Sequence, residues 1–154
     1  MRTMEVKVEL KPIGIIHTPH RRIEDVPVQP CMSKYMGEIE VNQEYQEGLK
    51  DIEGFSHIIV LYLFHKSQGY SLLVKPFLDD KPHGLFATRY PERPNPIGIS
   101  TVKLLEREGG VLKVLGIDVL DGTPLIDIKP HVPEFDCWDE EAKIGWLEGK
   151  ISSR

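Results

Sequence analysis

Residues Ile99–Val119, ISTVKLLEREGGVLKVLGIDV, have the clearest strand pattern in the sequence. Two segments rich in Val, Leu and Ile, Ile99–Glu106 and Val111–Val119, flank the connection Arg107–Gly110, which ends in two glycines. Aliphatic and β-branched residues favour strands, and a short glycine-containing connection between two such segments is typical of a β-hairpin. The stretch therefore predicts an antiparallel strand pair.

Further strand-like segments lie on both sides of this hairpin. They are apolar or alternate between apolar and polar residues, and they comprise Val6–Leu10, Ile13–Ile16, Gly37–Val41, Gly54–Lys66, Ser71–Val74 and Leu125–Ile128. A short helix is predicted over Gln43–Lys50, with Asn42 at its cap. About seven short strands and one or two short helices predict a mainly β protein, a small and mostly antiparallel β-barrel.

Length and composition indicate one globular domain. The chain has 154 residues, of which 40% are hydrophobic and 28% are charged. Such a chain is long enough to bury a core without metals or disulfides. We expect a single domain over residues 1–154, with its core in 11–133 and a polar C-terminal tail in 134–154.

The sequence contains no signal for a membrane or for export. No apolar segment follows the first residues, and the longest apolar run, Ile58–Phe64, is far shorter than a membrane span. The two cysteines, Cys31 and Cys137, are too far apart in sequence to suggest a CxxC pair or a disulfide framework. We therefore expect a cytoplasmic protein with free thiols.

The net charge of −5 argues against a general coat for nucleic acid, which needs a broad cationic surface. It leaves room for a local basic site, because several basic residues fall in the first two thirds of the chain and acids dominate its end. These basic residues are Arg21, Arg22, Lys75, Lys81, Arg89 and Arg93.

A polar loop with three prolines leads into the hairpin. Phe86–Ser100, FATRYPERPNPIGIS, carries Arg89, Arg93 and Asn95 among these prolines. Proline fixes φ and extends the residue before it, so the segment is predicted to be a rigid, exposed loop. Such a loop loses little entropy when its side chains bind a ligand. The alternative is a connector with solvated charges.

Other polar groups stand at the ends of predicted strands. His65 and Lys66 follow the long apolar run, VPVQP (26–30) presents Gln29, and DVLDGTPLIDIKP (118–130) contains a turn signal at Asp121-Gly122 and the strand residue Asp127. Arginine can bind a carboxylate or phosphate, and aspartate can accept a proton. Asp121 and Asp127, each taken alone, are explained at least as well by structure.

Several common sites are missing from the sequence. There is no GxGxxG fingerprint, no GxxxxGK[ST] phosphate loop, no HExxH and no Gly-x-Ser-x-Gly elbow. A dinucleotide fold and a covalent nucleophile are therefore disfavoured, and we expect no metal site.

Two long motifs in the order FATRYPERPNPIGIS and DGTPLIDIKP resemble the signatures of the TrmO-type (TsaA-like) tRNA methyltransferases. The segments KPIGIIHTPH, VPVQP and EGFSHIIVLYLFHK also match that family, so the resemblance covers about residues 11–133. It implies a small β-barrel that uses S-adenosylmethionine and is not of the Rossmann type. It further implies a homodimer that methylates N6 of the threonylcarbamoyl-modified adenosine 3′ of the anticodon in a threonine-type tRNA.

The resemblance also implies roles for residues at the matching positions. The cofactor-binding candidates are Val28, Gln29, Pro30, His65, Lys66, Arg89, Ile99, Asp118, Val119, Leu120 and Asp121. Arg93 and Asn95 are candidate catalytic residues that are expected to face the nucleotide. The target nitrogen is conjugated to a carbonyl and needs a base, for which Asp121 or Asp127 is the candidate. Two other functions stay open: a sensor that binds S-adenosylmethionine or a nucleotide without catalysis, and a methyltransferase acting on a small metabolite.

Overall fold

The computed structural model describes residues 5–22, 35–138 and 140–151. Six of its strands are β1 Gly14–His17, β2 Met36–Val41, β3 His57–Leu63, β6 Ile97–Glu108, β7 Val111–Leu115 and β8 Thr123–Pro130. They close into a barrel in the order β1–β2–β7–β6–β3–β8, and every neighbouring pair is antiparallel. Two short strands, β4 (Leu73–Val74) and β5 (His83–Gly84), form a separate sheet. The predicted small, mainly β barrel is confirmed.

The barrel interior is filled from alternate positions of the strands, as a strand's two-residue period requires. On β3 the inward side chains are Ile58, Val60 and Tyr62, and they are at most 3% exposed. The whole buried cluster comprises Ile16, Ile39, Val41, Leu49, Ile58, Val60, Tyr62, Val102, Leu112, Val114, Ile117, Val119 and Leu125.

The predicted hairpin is confirmed, but its second strand is shorter than expected. β6 and β7 pair across a tight turn in which Gly109 has a φ of 59°. β7 ends at Leu115 rather than Val119, because Gly116 adopts a φ of 94° and donates its N–H to the carbonyl of Tyr35. The chain therefore leaves the sheet while its apolar pattern continues.

Two other predictions are corrected. Val6–Leu10 is not a strand, and Val6 and Val8 are 65% and 74% exposed, because no neighbouring strand pairs with the segment in the described part of the chain. Gln43–Leu49 forms a 3-10 helix instead of an α-helix, and the Asn42 side chain makes no capping hydrogen bond. The tail holds the one-turn helix α1 (Pro133–Asp136) and a 3-10 turn at Gly145–Leu147. No helix among the described residues is long and apolar enough to span a bilayer.

Gly98 on β6 is a position where any side chain would collide with the core. A Cβ there would lie 2.3 Å from Cε2 of Tyr62 and 2.8 Å from Cζ of Phe64. Those two rings already pack edge to face, with centroids 5.4 Å apart. Gly98→Ala is therefore expected to lower the free energy of unfolding by about 3 kcal/mol, measured by urea denaturation.

Gly48→Ala is the matched control, since a Cβ at that position meets nothing within 4 Å. Equal denaturation midpoints for the two variants would show that the rings at Gly98 can move aside at little cost.

Candidate active site

The barrel has an open edge beside the first half of β6. β7 pairs with β6 only from Lys103 onward, while residues 97–102 pair with β3 on their other side. In the described structure no strand pairs with that free edge, and the loop 116–121 contacts this part of β6 through the hydrogen bond between Ser100 and Asp118. An uncovered strand edge offers backbone N–H and C=O groups to a ligand. Ile99 can therefore contact a ligand through its main chain, although its side chain points away from the barrel interior.

The loop 116–121 is fastened to the end of β1. Asp121 N donates to the His20 carbonyl at 2.8 Å, and Thr18 Oγ1 donates to the Val119 carbonyl at 2.8 Å. The Asp121 carboxylate takes part as well, because its Oδ1 accepts the Thr18 N–H at 3.0 Å. These bonds hold the loop against the end of β1, and the Asp121 side chain stays 37% exposed.

A buried chain of hydrogen bonds joins β3, β6 and this loop. Ser100 Oγ donates to Oδ1 of Asp118 at 2.5 Å, and Tyr62 Oη lies 2.8 Å from Ser100 Oγ. Since the single Ser100 proton goes to Asp118, the Tyr62 hydroxyl donates to Ser100. The three side chains are 3%, 1% and 9% exposed in the order Tyr62, Ser100, Asp118. We call this set the Tyr–Ser–Asp chain; it fixes the Asp118 carboxylate at the open edge.

The Tyr–Ser–Asp chain shifts the pKa of its members. Burial raises the pKa of Asp118 to about 6, although the Ser100 hydrogen bond and the charge of Arg89 act against this shift. Burial, and next the charge of Asp118, raises the pKa of Tyr62 above its ordinary range. A carboxylate that is costly to ionise is stabilised when a cationic group binds beside it. Asp118 is thus suited to a positively charged ligand.

The proline-rich loop is shaped by Arg93. The Arg93 guanidinium donates to three carbonyls of its own loop, those of Thr88 (3.1 Å), Tyr90 (2.7 Å) and Leu85 (3.3 Å). Arg89 lies between those carbonyls in sequence, is exposed, and acts electrostatically on Asp118. The charge of Arg89 thus acts on the Tyr–Ser–Asp chain, and Arg93 forms the loop that carries Arg89. The catalytic role of Arg93 stays a prediction.

The turn after β3 lies against the same loop. Phe64 N donates to the Pro96 carbonyl at 2.7 Å, and Ser67 Oγ donates to the Pro91 carbonyl at 3.3 Å. These bonds bring His65 and Lys66 to the side of the proline-rich loop. Burial lowers the pKa of the His65 imidazole, and the charge of Lys66 acts in the same direction. Asn95 is exposed on this loop.

Asp127 lies elsewhere, on the outer face of the barrel. On β8 it pairs with Leu61, which on its other side pairs with Ile99. Its Oδ2 is 2.9 Å from Nζ of Lys129, and its side chain is 44% exposed. The Asp127 side chain therefore lies on the same outer face as the Ile99 side chain, whereas the Asp118 carboxylate is buried. Its role as a base stays a prediction.

The remaining predicted residues, Val28, Gln29 and Pro30, lie outside the described residues. Sequence reasoning missed Tyr62 and Ser100. The available signal was the strand period, which places Tyr62 with Ile58 and Val60, and Ser100 with Val102, on inward faces. Within residues 5–22, 35–138 and 140–151, no cluster of three or more His, Cys, Asp or Glu side chains could hold a metal ion.

Comparison with known proteins shows close relatives. The family described as tRNA-methyltransferase O N-terminal domain matches residues 15–137. A probable S-adenosyl-L-methionine-binding protein of Pyrococcus abyssi is 55% identical over 142 residues, covering 92% of this chain and 77% of that protein. An S-adenosyl-L-methionine-binding protein of Archaeoglobus fulgidus is 46% identical, with 92% of this chain and 97% of that protein covered.

More distant relatives have names that state a reaction. A tRNA (adenine(37)-N6)-methyltransferase of Escherichia coli is 36% identical over 81% of this chain and 58% of that enzyme. The crystal structure of TrmO from Pseudomonas aeruginosa matches with a TM-score of 0.77 and 37% identity, covering 91% of this chain and 62% of that one. This chain thus spans less than two thirds of the length of both proteins.

Proposed function

This chain belongs to the family of the tRNA-methyltransferase O N-terminal domain, and from that premise we propose that it transfers a methyl group from S-adenosylmethionine to N6 of adenosine 37 in tRNA. One structural observation supports the proposal independently of sequence similarity. The Asp118 carboxylate is held buried at an open strand edge, and Arg89 acts on it electrostatically. Both residues belong to the matched region.

These residues fit S-adenosylmethionine by their chemistry. When bound, this compound supplies a methyl group on a positively charged sulfur, and it also carries an ammonium and a carboxylate group. The Asp118 carboxylate stabilises positive charge, and the Arg89 guanidinium can bind a carboxylate with two hydrogen bonds. The main chain of Ile99 and the loop 116–121 line the same edge and orient the ligand.

We further propose that the substrate adenosine carries the threonylcarbamoyl group. Its N6 is conjugated to the purine and to a carbonyl, so that nitrogen attacks poorly until its proton is removed. We propose that Asp121, rather than Asp127, is the base that removes this proton. Asp121 stands on the loop that holds Asp118, whereas Asp127 is paired with Lys129 on the outer face.

The threonyl carboxylate would be a second anion at the site. Arg93 already donates to three backbone carbonyls, so Arg89 is the arginine that we assign to the carboxylate of S-adenosylmethionine, and the threonyl carboxylate is attracted by the positive charge of the loop as a whole. A basic loop on a protein with a net charge of −5 is consistent with a local site for anions. A homodimer, implied by the resemblance, and a cytoplasmic location, expected from the sequence, both stay predictions. Light scattering after size exclusion tests the dimer.

A sensor without catalysis is the second candidate function. It is favoured by the names of the archaeal relatives, which state only binding of S-adenosyl-L-methionine. Incubation with methyl-labelled S-adenosylmethionine and total tRNA separates the two functions. We expect label in the acid-precipitated RNA, and the sensor predicts tight binding of the compound with no label in RNA. Label in small molecules alone would favour the metabolite methyltransferase.

A further inference from the structure

The C-terminal segment contacts the proline-rich loop through one tryptophan. Trp146, in the 3-10 turn Gly145–Leu147, stacks on the imidazole of His83 with ring centroids 4.6 Å apart and an interplanar angle of 18°. Its Nε1 donates to the Ala87 carbonyl at 2.7 Å. Ala87 stands two positions before Arg89. A side chain far along the sequence thus binds the backbone that presents the arginine.

A second attachment fixes the surface on which Trp146 lies. His83 Nε2 donates to Oδ2 of Asp79 at 2.7 Å, and Lys150 Nζ is 3.6 Å from Oδ1 of the same carboxylate. The Asp79 side chain is only 7% exposed. His83 is therefore held at its edge by Asp79 and on its face by Trp146, and the C-terminal segment contacts residues 79–87 through both Trp146 and Lys150.

The backbone around Arg89 is held from two directions. On one side, the Arg93 guanidinium donates hydrogen bonds to the carbonyls of Leu85, Thr88 and Tyr90. On the other side, Trp146 of the C-terminal segment donates a hydrogen bond to the carbonyl of Ala87. Residue 146 lies beyond the family match, which ends at residue 137. The Trp146 side of the contact therefore lies outside the part of the chain that the family model matches.

We propose that Trp146 is a positioning residue: its indole N–H holds the Ala87 backbone so that Arg89 is already placed to bind a carboxylate. The proposal rests on the function assigned to Arg89 above. Fixing a loop in its bound conformation before the ligand arrives lowers the entropy lost on binding, and this is the advantage that Trp146 provides.

The test uses Trp146→Phe, which keeps an aromatic ring for His83 and removes the N–H. Trp138→Phe is the matched control, because Trp138 is 86% exposed. Loss of one neutral hydrogen bond corresponds to about a fivefold change in an equilibrium constant. Trp146→Phe should weaken S-adenosylmethionine binding about fivefold by calorimetry, and Trp138→Phe should leave it unchanged.

A double-mutant cycle with Arg89→Ala separates positioning from a general structural role. If Trp146 acts through Arg89, Trp146→Phe has no further effect on S-adenosylmethionine affinity in the Arg89→Ala background. An equal loss in both backgrounds would overturn the proposal, as would unchanged affinity in the single variant.

Hydrogen exchange keeps this test independent of the proposed function. The Thr88 and Tyr90 amides are bonded inside the loop, to the Leu85 carbonyl and to Thr88 Oγ1. Trp146→Phe should speed their exchange, and unchanged exchange would show that Trp146 does not hold the loop. If exchange speeds up in Trp146→Phe and the wild-type protein does not methylate tRNA, Trp146 still holds the loop and the assigned reaction fails.

Discussion

Arg89→Ala lowers kcat/KM for methyl transfer to tRNA by about a hundredfold or more and leaves a cooperative thermal transition. The reason is that a guanidinium bound to a carboxylate makes charge-assisted hydrogen bonds, and their loss at a binding site costs about 2–5 kcal/mol. The Arg89 side chain is exposed, while Arg93 forms the hydrogen bonds that shape the loop. Single-turnover transfer and circular dichroism melting measure the two effects.

Arg89→Lys is the control for this prediction. Lysine keeps the positive charge and loses the two-pronged geometry, so it should recover only part of the activity. Arg89 would be structural, and its assignment to the ligand wrong, if Arg89→Ala lost cooperative melting. Full activity in Arg89→Lys would mean that charge alone is needed.

Asp118→Asn is expected to stabilise the protein at neutral pH while weakening S-adenosylmethionine binding at least tenfold. In the folded state the pKa of Asp118 is raised to about 6 from 3.8. Between these values the folded state holds more protons than the unfolded state, so stability falls as pH rises from about 4 to 6. The loss amounts to about 3 kcal/mol, at 1.36 kcal/mol per pKa unit. Asparagine carries no charge and still accepts from Ser100, so the variant avoids this loss.

Urea denaturation from pH 4 to pH 8 and calorimetry measure these two effects. The matched control is Asp127→Asn, which changes a half-exposed aspartate on the outer face. The wild-type protein and the control should lose stability over this pH range, and Asp118→Asn should lose less. Parallel pH profiles for all three proteins would show that Asp118 does not carry this cost of ionisation. If Asp118→Asn binds S-adenosylmethionine with unchanged affinity, Asp118 does not contact this ligand.

The barrel could be predicted from local patterns, and its edges could not. Alternation identified most strands, and the Arg107–Gly110 connection identified the hairpin. The same alternation is present in Val6–Leu10, where no strand pairs with it, and in residues 116–119, where Gly116 has already turned the chain away. A pattern along one strand contains no information about where its neighbour stops. The open edge beside β6 was therefore invisible in the sequence.

The sequence could identify the polar loop residues of the site, but it could not reveal the hydrogen bonds between residues far apart in the chain. Arg89 and Asp118 stand in long motifs that sequence resemblance identifies. The hydrogen bond between Tyr62 and Ser100 joins residues 38 positions apart on neighbouring strands. The bond from Trp146 to Ala87 joins residues 59 positions apart. Such pairs arise from register and packing, which a single sequence does not reveal. The bonds from Arg93 Nη1 and Nη2 to nearby backbone carbonyls are another contact that the sequence did not reveal, and the predicted role of Arg93 at the nucleotide stays a prediction.

The central claim is that this site methylates adenosine 37 carrying a threonylcarbamoyl group. The direct measurement is mass spectrometry of nucleosides from threonine tRNA, with and without that modification, after incubation with the protein and S-adenosylmethionine. Arg89→Ala serves as the inactive control. We expect the modified adenosine to gain one methyl group with the wild-type protein and to stay unchanged with the variant. Methylation of both tRNA pools to the same extent, or of neither, would contradict the account.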